Sequence, residues 1–352
     1  MGGTLAVRLD SDGDVLLAGP AIRAIASRAD RVVLLAGPRG RQAAELLPAV
    51  DEVVQWCCPW VDPDPGPVRR ADMLATAELL RALDVSQAVI LTSFHQDPLP
   101  TAMLLRLAGV PHITAACDDY PGSLLDVRHR LPESGLHEVE RMVSVAVAAG
   151  FPPPADLRLR VRMPLPDARR PAGVLGGAQA SGYVVVHPGA SVPARAPLPQ
   201  RCAEYVRALT RDGWPVVVTG TRQEGPLTAL VADGYAVDLG GRTTLAELAG
   251  VLAGAAALVT GNTGPAHLAA AVGTPVVSLF APVVPLERWR PWGVPHVVLG
   301  AQDAACAQSR ARSCPVPGHP CLATVTADHV VAAVRKLADG AADPPGLLEV
   351  CA

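Results

Sequence analysis

Residues 259–273, VTGNTGPAHLAAAVG, decide the fold. A β-branched run ends at Thr260, a turn of Gly261, Asn262, Thr263 and Gly264 follows, and an Ala/Leu stretch opens with Pro265. In a first helical turn the N–H that proline lacks is not needed, so Pro265 marks a helix start. A strand, a glycine-rich turn and a helix make one βα unit of a parallel sheet. The free N–H groups at that helix start, the helix dipole and the Thr263 hydroxyl form a metal-free cradle for a phosphate or diphosphate. His267 lies one turn further on. The same residues also suit an ordinary capped turn, with Asn262 or Thr263 as the cap.

Outward from this stretch the alternation repeats. PVVSLFAP follows from Pro275, and YVVVHPGA, PVVVTG and YAVDLGG precede it from Tyr183, Pro215 and Tyr235. In the first half, strands are expected at 4–9, 31–36, 52–56, 88–92 and 112–116. Helices are expected near 15–28, 41–47, 69–83, 100–108 and 136–149. Between the halves, residues 151–181 turn rich in Pro, Gly and Ala, which breaks both periodicities and reads as a linker. The expected fold is α/β, two doubly wound Rossmann-like domains facing a central cleft: 1–163, a linker at 164–181, 182–340, and a tail at 341–352. Ligands of such sheets sit in the loops after the strands, at the carboxyl edge.

Composition narrows the function. Of 352 residues, 50% are apolar, 18% charged and 3% aromatic, which suits globular domains packed on Ala, Val and Leu. With 30 basic against 33 acidic residues and no long basic run, nucleic acid is not an expected partner. Lys336 is the sole lysine, which argues against Schiff-base chemistry and a P-loop. Eight cysteines are too sparse for a disulfide scaffold, and the first residues show no apolar leader. No apolar run reaches the roughly 18 residues of a membrane span. The expectation is a cytoplasmic protein, with at most peripheral contact with a membrane.

Four further constellations carry chemistry or its bland equivalent. RLDSDGDVLLAGPAIRAI begins at Arg8, directly after the first strand, and clusters Asp10, Asp12 and Asp14 around Gly13. A carboxylate there suits a general base, its pKa raised by its neighbours, or a helix cap. HPGASVPARAPLP offers Arg195 to a phosphate, and TGTRQEGPL offers Gly220 and Glu224 to a nucleoside; a solvated loop arginine and a first-turn glutamate are the plain alternatives. Cys306, Cys314, His319 and Cys321 have a spacing that matches no common zinc module and reads as a packed loop with inert thiols. Cys57 and Cys58 read as buried small hydrophobes, HEVER at His137 lacks the second histidine of a zinc protease, and the pairs Asp10/Asp12, Asp12/Asp14 and Asp62/Asp64 suit a divalent ion or an ordinary loop.

Together these motifs resemble glycosyltransferase family 9, the ADP-heptose heptosyltransferases of GT-B fold, over nearly the whole chain. The block DLGGRTTLAELAGVLAGAAALVTGNTGPAHLAAAVGTPVV is the most specific part. The resemblance implies that Asp14 is the catalytic base and that Asn262, Thr263, Gly264 and His267 form the diphosphate turn. Arg195 stands where the family carries a phosphate-contacting lysine, and Glu224 near its nucleoside-contacting glutamate. Asn262 occupies a position often acidic in the family, and Pro197 replaces a common Trp. In CDDYPGSLLDVRHR, Asp118, Asp119, Arg128 and Arg130 are the acceptor-side candidates. The expected activity is inverting, metal-independent and cofactor-free transfer of a heptose-like sugar from a nucleotide diphosphate donor, ADP-heptose by resemblance, to a hydroxyl of an unidentified glycan, lipid-linked or small acceptor. The alternatives are a nucleotide-sugar epimerase or hydrolase on the same frame, and a catalytically silent nucleotide-sugar binding protein.

Overall fold

Short runs of Val, Leu and Ala with apolar residues on consecutive positions can form strands only where both faces are covered, as in a parallel sheet between helices. The computed structural model describes residues 2–132, 135–166 and 182–340. It divides the chain into two compact units, Met1–Arg162 and Met163–Ala352. Of the expected linker, residues 167–181 lie outside the described residues, as does the expected tail at 341–352.

The first unit holds β1 (Gly3–Arg8), β2 (Val32–Ala36), β3 (Glu52–Gln55), β4 (Val85–Ile90), β5 (Ile113–Ala116) and β6 (Val127–His129), all parallel, in the order β3-β2-β1-β4-β5-β6. The second holds β7 (Tyr183–His187), β8 (Val216–Val218), β9 (Val237–Asp238), β10 (Ala255–Gly261), β11 (Val276–Leu279) and β12 (His296–Leu299), also parallel, in the order β12-β11-β10-β7-β8-β9. Numbered within its own unit, each sheet has the Rossmann order 3-2-1-4-5-6. The strand order reverses between β1 and β4 and between β7 and β10, and the loops leaving these strands diverge there to open a crevice. Each sheet packs its own core, one around Leu5, Val33, Ile90 and Leu105, the other around Val186, Tyr205, Val259 and Val330.

Three expectations change. The helix expected at 15–28 is two helices, Asp12–Leu17 and Gly19–Ala26, meeting at Ala18. Pro20 has no N–H to offer the Leu16 carbonyl one turn back, so the ladder breaks there. The edge strands β6 and β12 were not expected, being only three and four residues long. Cys57 is exposed and only Cys58 is buried.

Candidate active site

In the first unit the switch point is built around a buried arginine. Arg8 closes β1 with its side chain wholly buried. One Nη donates to the Leu91 carbonyl at 2.8 Å, and the other to Ser93 Oγ at 2.8 Å and Asp14 Oδ1 at 3.2 Å. Its Nε lies 3.2 Å from Asp10 Oδ2. Burial alone would lower the Arg8 pKa, but Asp10, Asp14 and the fully buried Glu138 outweigh it and raise the value.

Asp14 sits in the first turn of helix Asp12–Leu17, where the helix dipole favours an anion. Its second oxygen accepts from Ser11 Oγ at 2.9 Å, so both carboxylate oxygens are fixed, while the side chain stays 22% exposed. A carboxylate that is oriented yet reachable is what proton abstraction requires. Asp10 accepts from Gln96, and burial pushes its carboxyl up to about 6 against the pull of Arg8. Burial likewise pushes Asp12 up to about 6, partly offset by the bond it accepts from the Ala43 N–H at 3.0 Å. Asp12 therefore ties two helix starts together and does not cap its own helix. Because Asp10 and Asp12 turn to different partners, this D-x-D is not a chelating pair.

Three members of this cluster were not legible beforehand: Arg8, Glu138 and Arg141. Arg141 is buried, donates to the Thr92 carbonyl and lowers the Asp10 pKa. The HEVER motif proves to be a helix start. His137 caps helix Glu138–Ala148 by accepting from the Val139 N–H at 3.2 Å, and its own N–H donates to Glu140 at 2.9 Å. The signal available in sequence was the i,i+3 spacing of Glu138 and Arg141, which puts both on one face of the helix.

The second unit's switch point is built around a buried histidine. His187 closes β7, its Nδ1 3.0 Å from Thr219 Oγ1, and its carbonyl accepts from Thr260 Oγ1 of β10 at 3.0 Å. Burial pushes the His187 pKa down to about 4 although Glu224 pulls it up, so the ring is neutral at neutral pH. Glu224 ends the turn Arg222–Glu224, where its Oε2 accepts from the Thr221 N–H at 2.7 Å and hydroxyl at 2.9 Å. Its Oε1 lies 1.9 Å from where a Cβ on Gly189 would be, so the absence of a side chain at 189 lets the carboxylate rest on the loop after β7. Gly220 is confined in the same way, by Thr228 at 2.6 Å.

Gly261 brings two candidates together. A Cβ there would lie 2.5 Å from the Arg195 carbonyl, so the turn Pro193–Arg195 rests against the end of β10, beside Asn262, Thr263 and Gly264. Thr263 occupies the N-cap of helix Gly264–Val272 in an extended conformation, and no side chain caps that helix. The ordinary capped turn is therefore not what is built. His267 is buried one turn inside. Asn262 is 4% exposed, and its Nδ2 has no hydrogen-bond partner among the described residues. A buried donor left unmatched costs about 1–3 kcal/mol.

The remaining candidates make contacts of their own. Arg128 donates to the Cys117 carbonyl at 2.9 Å and to the Asp118 carbonyl, so its guanidinium braces the loop after β5; Asp118 and Asp119 are exposed on that loop, and Arg130 is exposed after β6. Asp62 accepts from the Asp64 N–H at 2.9 Å, a local turn. Cys306, Cys321 and His319 are buried, and Cys314 Sγ lies 3.3 Å from the Val316 carbonyl. Burial, with Cys306 and Cys314 nearby, pushes the Cys321 thiol up to about 11. Among the described residues no group of three or more His, Cys, Asp or Glu is placed to hold a metal ion. No helix among them is long and apolar enough to cross a membrane.

Two units, each built on a parallel sheet of the same Rossmann order with polar residues at its switch point, define an α/β chain of the GT-B class. Over residues 79–319 the chain matches the model of glycosyltransferase family 9 (heptosyltransferase), and it belongs to that family. It is 29% identical over 220 residues to lipopolysaccharide heptosyltransferase 3 of Escherichia coli, a match covering 59% of this chain and 62% of that relative. The chain thus spans about three fifths of that curated relative's length. Among solved structures, E. coli ADP-heptose lps heptosyltransferase II superposes with a TM-score of 0.74 at 18% identity, covering 96% of this chain and 99% of that one. The family 9 glycosyl transferase from Veillonella parvula DSM 2008 gives 0.77 at 17%, covering 96% and 97%. At these identities the likeness is one of fold.

Proposed function

We propose that this protein transfers a heptose-like sugar from a nucleotide diphosphate donor, of the ADP-heptose type, to an acceptor hydroxyl with inversion at the anomeric carbon. Asp14 takes the proton from the acceptor hydroxyl as its oxygen bonds to the anomeric carbon. The bond from that carbon to the diphosphate breaks, and its electron pair leaves with the phosphate oxygen. The N-terminus of helix Gly264–Val272, the Asn262 amide and Arg195 receive the charge that develops there. Glu224 and Gly220 hold the nucleoside. The observation that carries this reading is Asp14, fixed through both oxygens at a sheet switch point and still reachable. The unmatched Asn262 amide supports the diphosphate half. Because backbone N–H groups and one arginine carry the negative charge, no divalent ion is required in this mechanism.

Asp14→Asn keeps the shape and removes the base. Turnover with an ADP-sugar donor and a suitable acceptor is expected to fall about 10²- to 10⁴-fold while nucleotide affinity survives. Activity is expected to persist in excess EDTA. Unchanged turnover in Asp14→Asn removes the base role, and activity lost in EDTA and restored by Mg²⁺ moves the diphosphate to an aspartate pair.

A further inference from the structure

We propose that Asp10 is a positioning residue for proton abstraction, acting through Arg8: it takes up the guanidinium's charge, so that Asp14 keeps the hold on a proton that a base needs. The inference rests on the base role given to Asp14 above. An arginine beside a carboxylate orients it but also weakens it as a base, because the positive charge favours the ionised form. Arg8, wholly buried, lies between two carboxylates: one Nη is 3.2 Å from Asp14 Oδ1, and Nε is 3.2 Å from Asp10 Oδ2. The second contact is ionic, since neither Arg8 Nε nor Asp10 Oδ2 has a hydrogen-bond partner among the described residues. The guanidinium is gripped elsewhere, by the Leu91 carbonyl and by Ser93 Oγ, each at 2.8 Å. Asp10 thus supplies charge to Arg8 and little of its grip.

Asp10 is itself fixed from the loop after β4. Gln96 Nε2 donates to Asp10 Oδ1, and Gln96 Oε1 accepts from the Ser93 N–H at 3.0 Å, which sets the amide's orientation. From helix Glu138–Ala148 come Glu138, which adds negative charge around Arg8, and Arg141, which favours the ionised form of Asp10. Asp12 turns away to the Ala43 N–H, and the Cys58 thiol after β3, pushed up to about 12 by burial, stays neutral. Two guanidiniums, Arg8 and Arg141, therefore meet three carboxylates, Asp10, Asp14 and Glu138, a formal excess of one negative charge. Asp14 is the most exposed of the three, at 22% against 13% for the Asp10 side chain, and it carries that excess at least cost. The charge on Asp14 raises the Asp10 pKa, and the repulsion acts equally on Asp14. Burial brings Asp10 to about 6, so the counterweight is present at neutral pH and is lost on acidification. With Asp10 neutral the count balances, and Arg8 turns its charge on Asp14.

In Asp10→Asn an amide fills the same space without the charge. In the unliganded full chain, the Asp14 carboxyl, followed by carbon NMR of its Cγ, is expected to titrate about one pH unit lower in Asp10→Asn than in the parent. Gln96→Met keeps both charges but loosens the hold on the ionised Asp10, and is expected to move the Asp14 titration the same way by less. Ser93→Ala removes a bond to Arg8 and no charge, and is expected to leave that titration in place. With an ADP-sugar donor and a suitable acceptor, kcat at neutral pH is expected to fall about three- to tenfold in Asp10→Asn while the donor KM holds, and the acid limb of the rate profile to move down with the Asp14 titration. An Asp14 titration unchanged in both Asp10→Asn and Gln96→Met overturns the proposal, even where Asp14→Asn is inactive. A shift as large in Ser93→Ala overturns it too, since Asp10 would then act only by holding Arg8 in place. A shifted Asp14 titration beside an unmoved acid limb overturns the base role of Asp14 and the catalytic meaning of Asp10 with it, while the charge coupling itself is upheld.

Discussion

Arg8 and His187 both close the first strand of their sheets, and what surrounds them differs in kind. Around Arg8 the carboxyl edge carries Asp10, Asp14, Glu138 and Arg141, all buried or partly so. Around His187 the same edge carries Thr219, Thr260, Asn262 and a single carboxylate, Glu224, and the ring itself is uncharged at neutral pH. A shared strand order makes a crevice in each unit, but side chains decide its use. The first crevice compensates its own charges and keeps one carboxylate reachable; the second leaves the Asn262 amide without a partner among the described residues.

Breaking the charge cluster should have the largest effect. Arg8→Met keeps the packing volume and strands Asp10, Asp14 and Glu138 without their cation. Loss of one partner from a buried ionic group costs about 3–5 kcal/mol, so chemical denaturation should show a fall of that size. A loss under about 1 kcal/mol would mean that the arginine does not compensate these carboxylates.

Acidification should separate the two units. Asp12 titrates at about 6 in the fold against 3.8 as an ordinary carboxylate, so the folded state binds its proton first. Its contribution therefore falls as pH rises from about 4 to 6, by roughly 3 kcal/mol at 1.36 kcal/mol per pH unit. His187 titrates at about 4 against 6.5, so the unfolded state binds its proton first. Its contribution falls by a similar amount, about 3 kcal/mol, as pH drops from about 6.5 to 4. Hydrogen exchange followed from pH 6.5 to pH 4.5, corrected for intrinsic rates, should show β7 and β8 losing protection while the helices Asp12–Leu17 and Arg41–Leu46 hold or gain it. Parallel loss in both places would contradict the assignment of opposite charge states.

The smallest change is Gly189→Ala. The added methyl meets only the far end of the Glu224 side chain, which can swing away, so stability should shift by less than about 1 kcal/mol. Adenosine affinity should drop about fivefold, near 1 kcal/mol, and Glu224→Gln in the same background should add little. Full adenosine affinity in Gly189→Ala would separate Glu224 from the nucleoside.

Legibility followed the range of the interaction. The β-branched runs, the turn at 261–264 and the clustered aspartates after β1 are encoded within a few neighbouring residues, and the runs placed ten of the strands correctly in the chain. The bond from Ala43 that occupies Asp12, the bracing of the β5 loop by Arg128 and the exposure of Cys57 each depend on a neighbour whose identity no local pattern reveals. Edge strands β6 and β12 are too short for periodicity to rise above that of a loop.

By itself the sequence determined the class: two βα series, a glycine turn leading into a helix N-terminus, and one lysine in the whole chain. These follow from local sterics and backbone hydrogen bonding, which act over a turn or two. Only the tertiary structure decided that Arg8 orients Asp14, that Glu138 and Arg141 join it from a helix 130 residues later, and that the Arg312 carbonyl receives the Ala194 N–H of the turn bearing Arg195. Buried charges and buried backbone groups must find partners wherever the fold supplies them, and sequence separation does not enter that requirement.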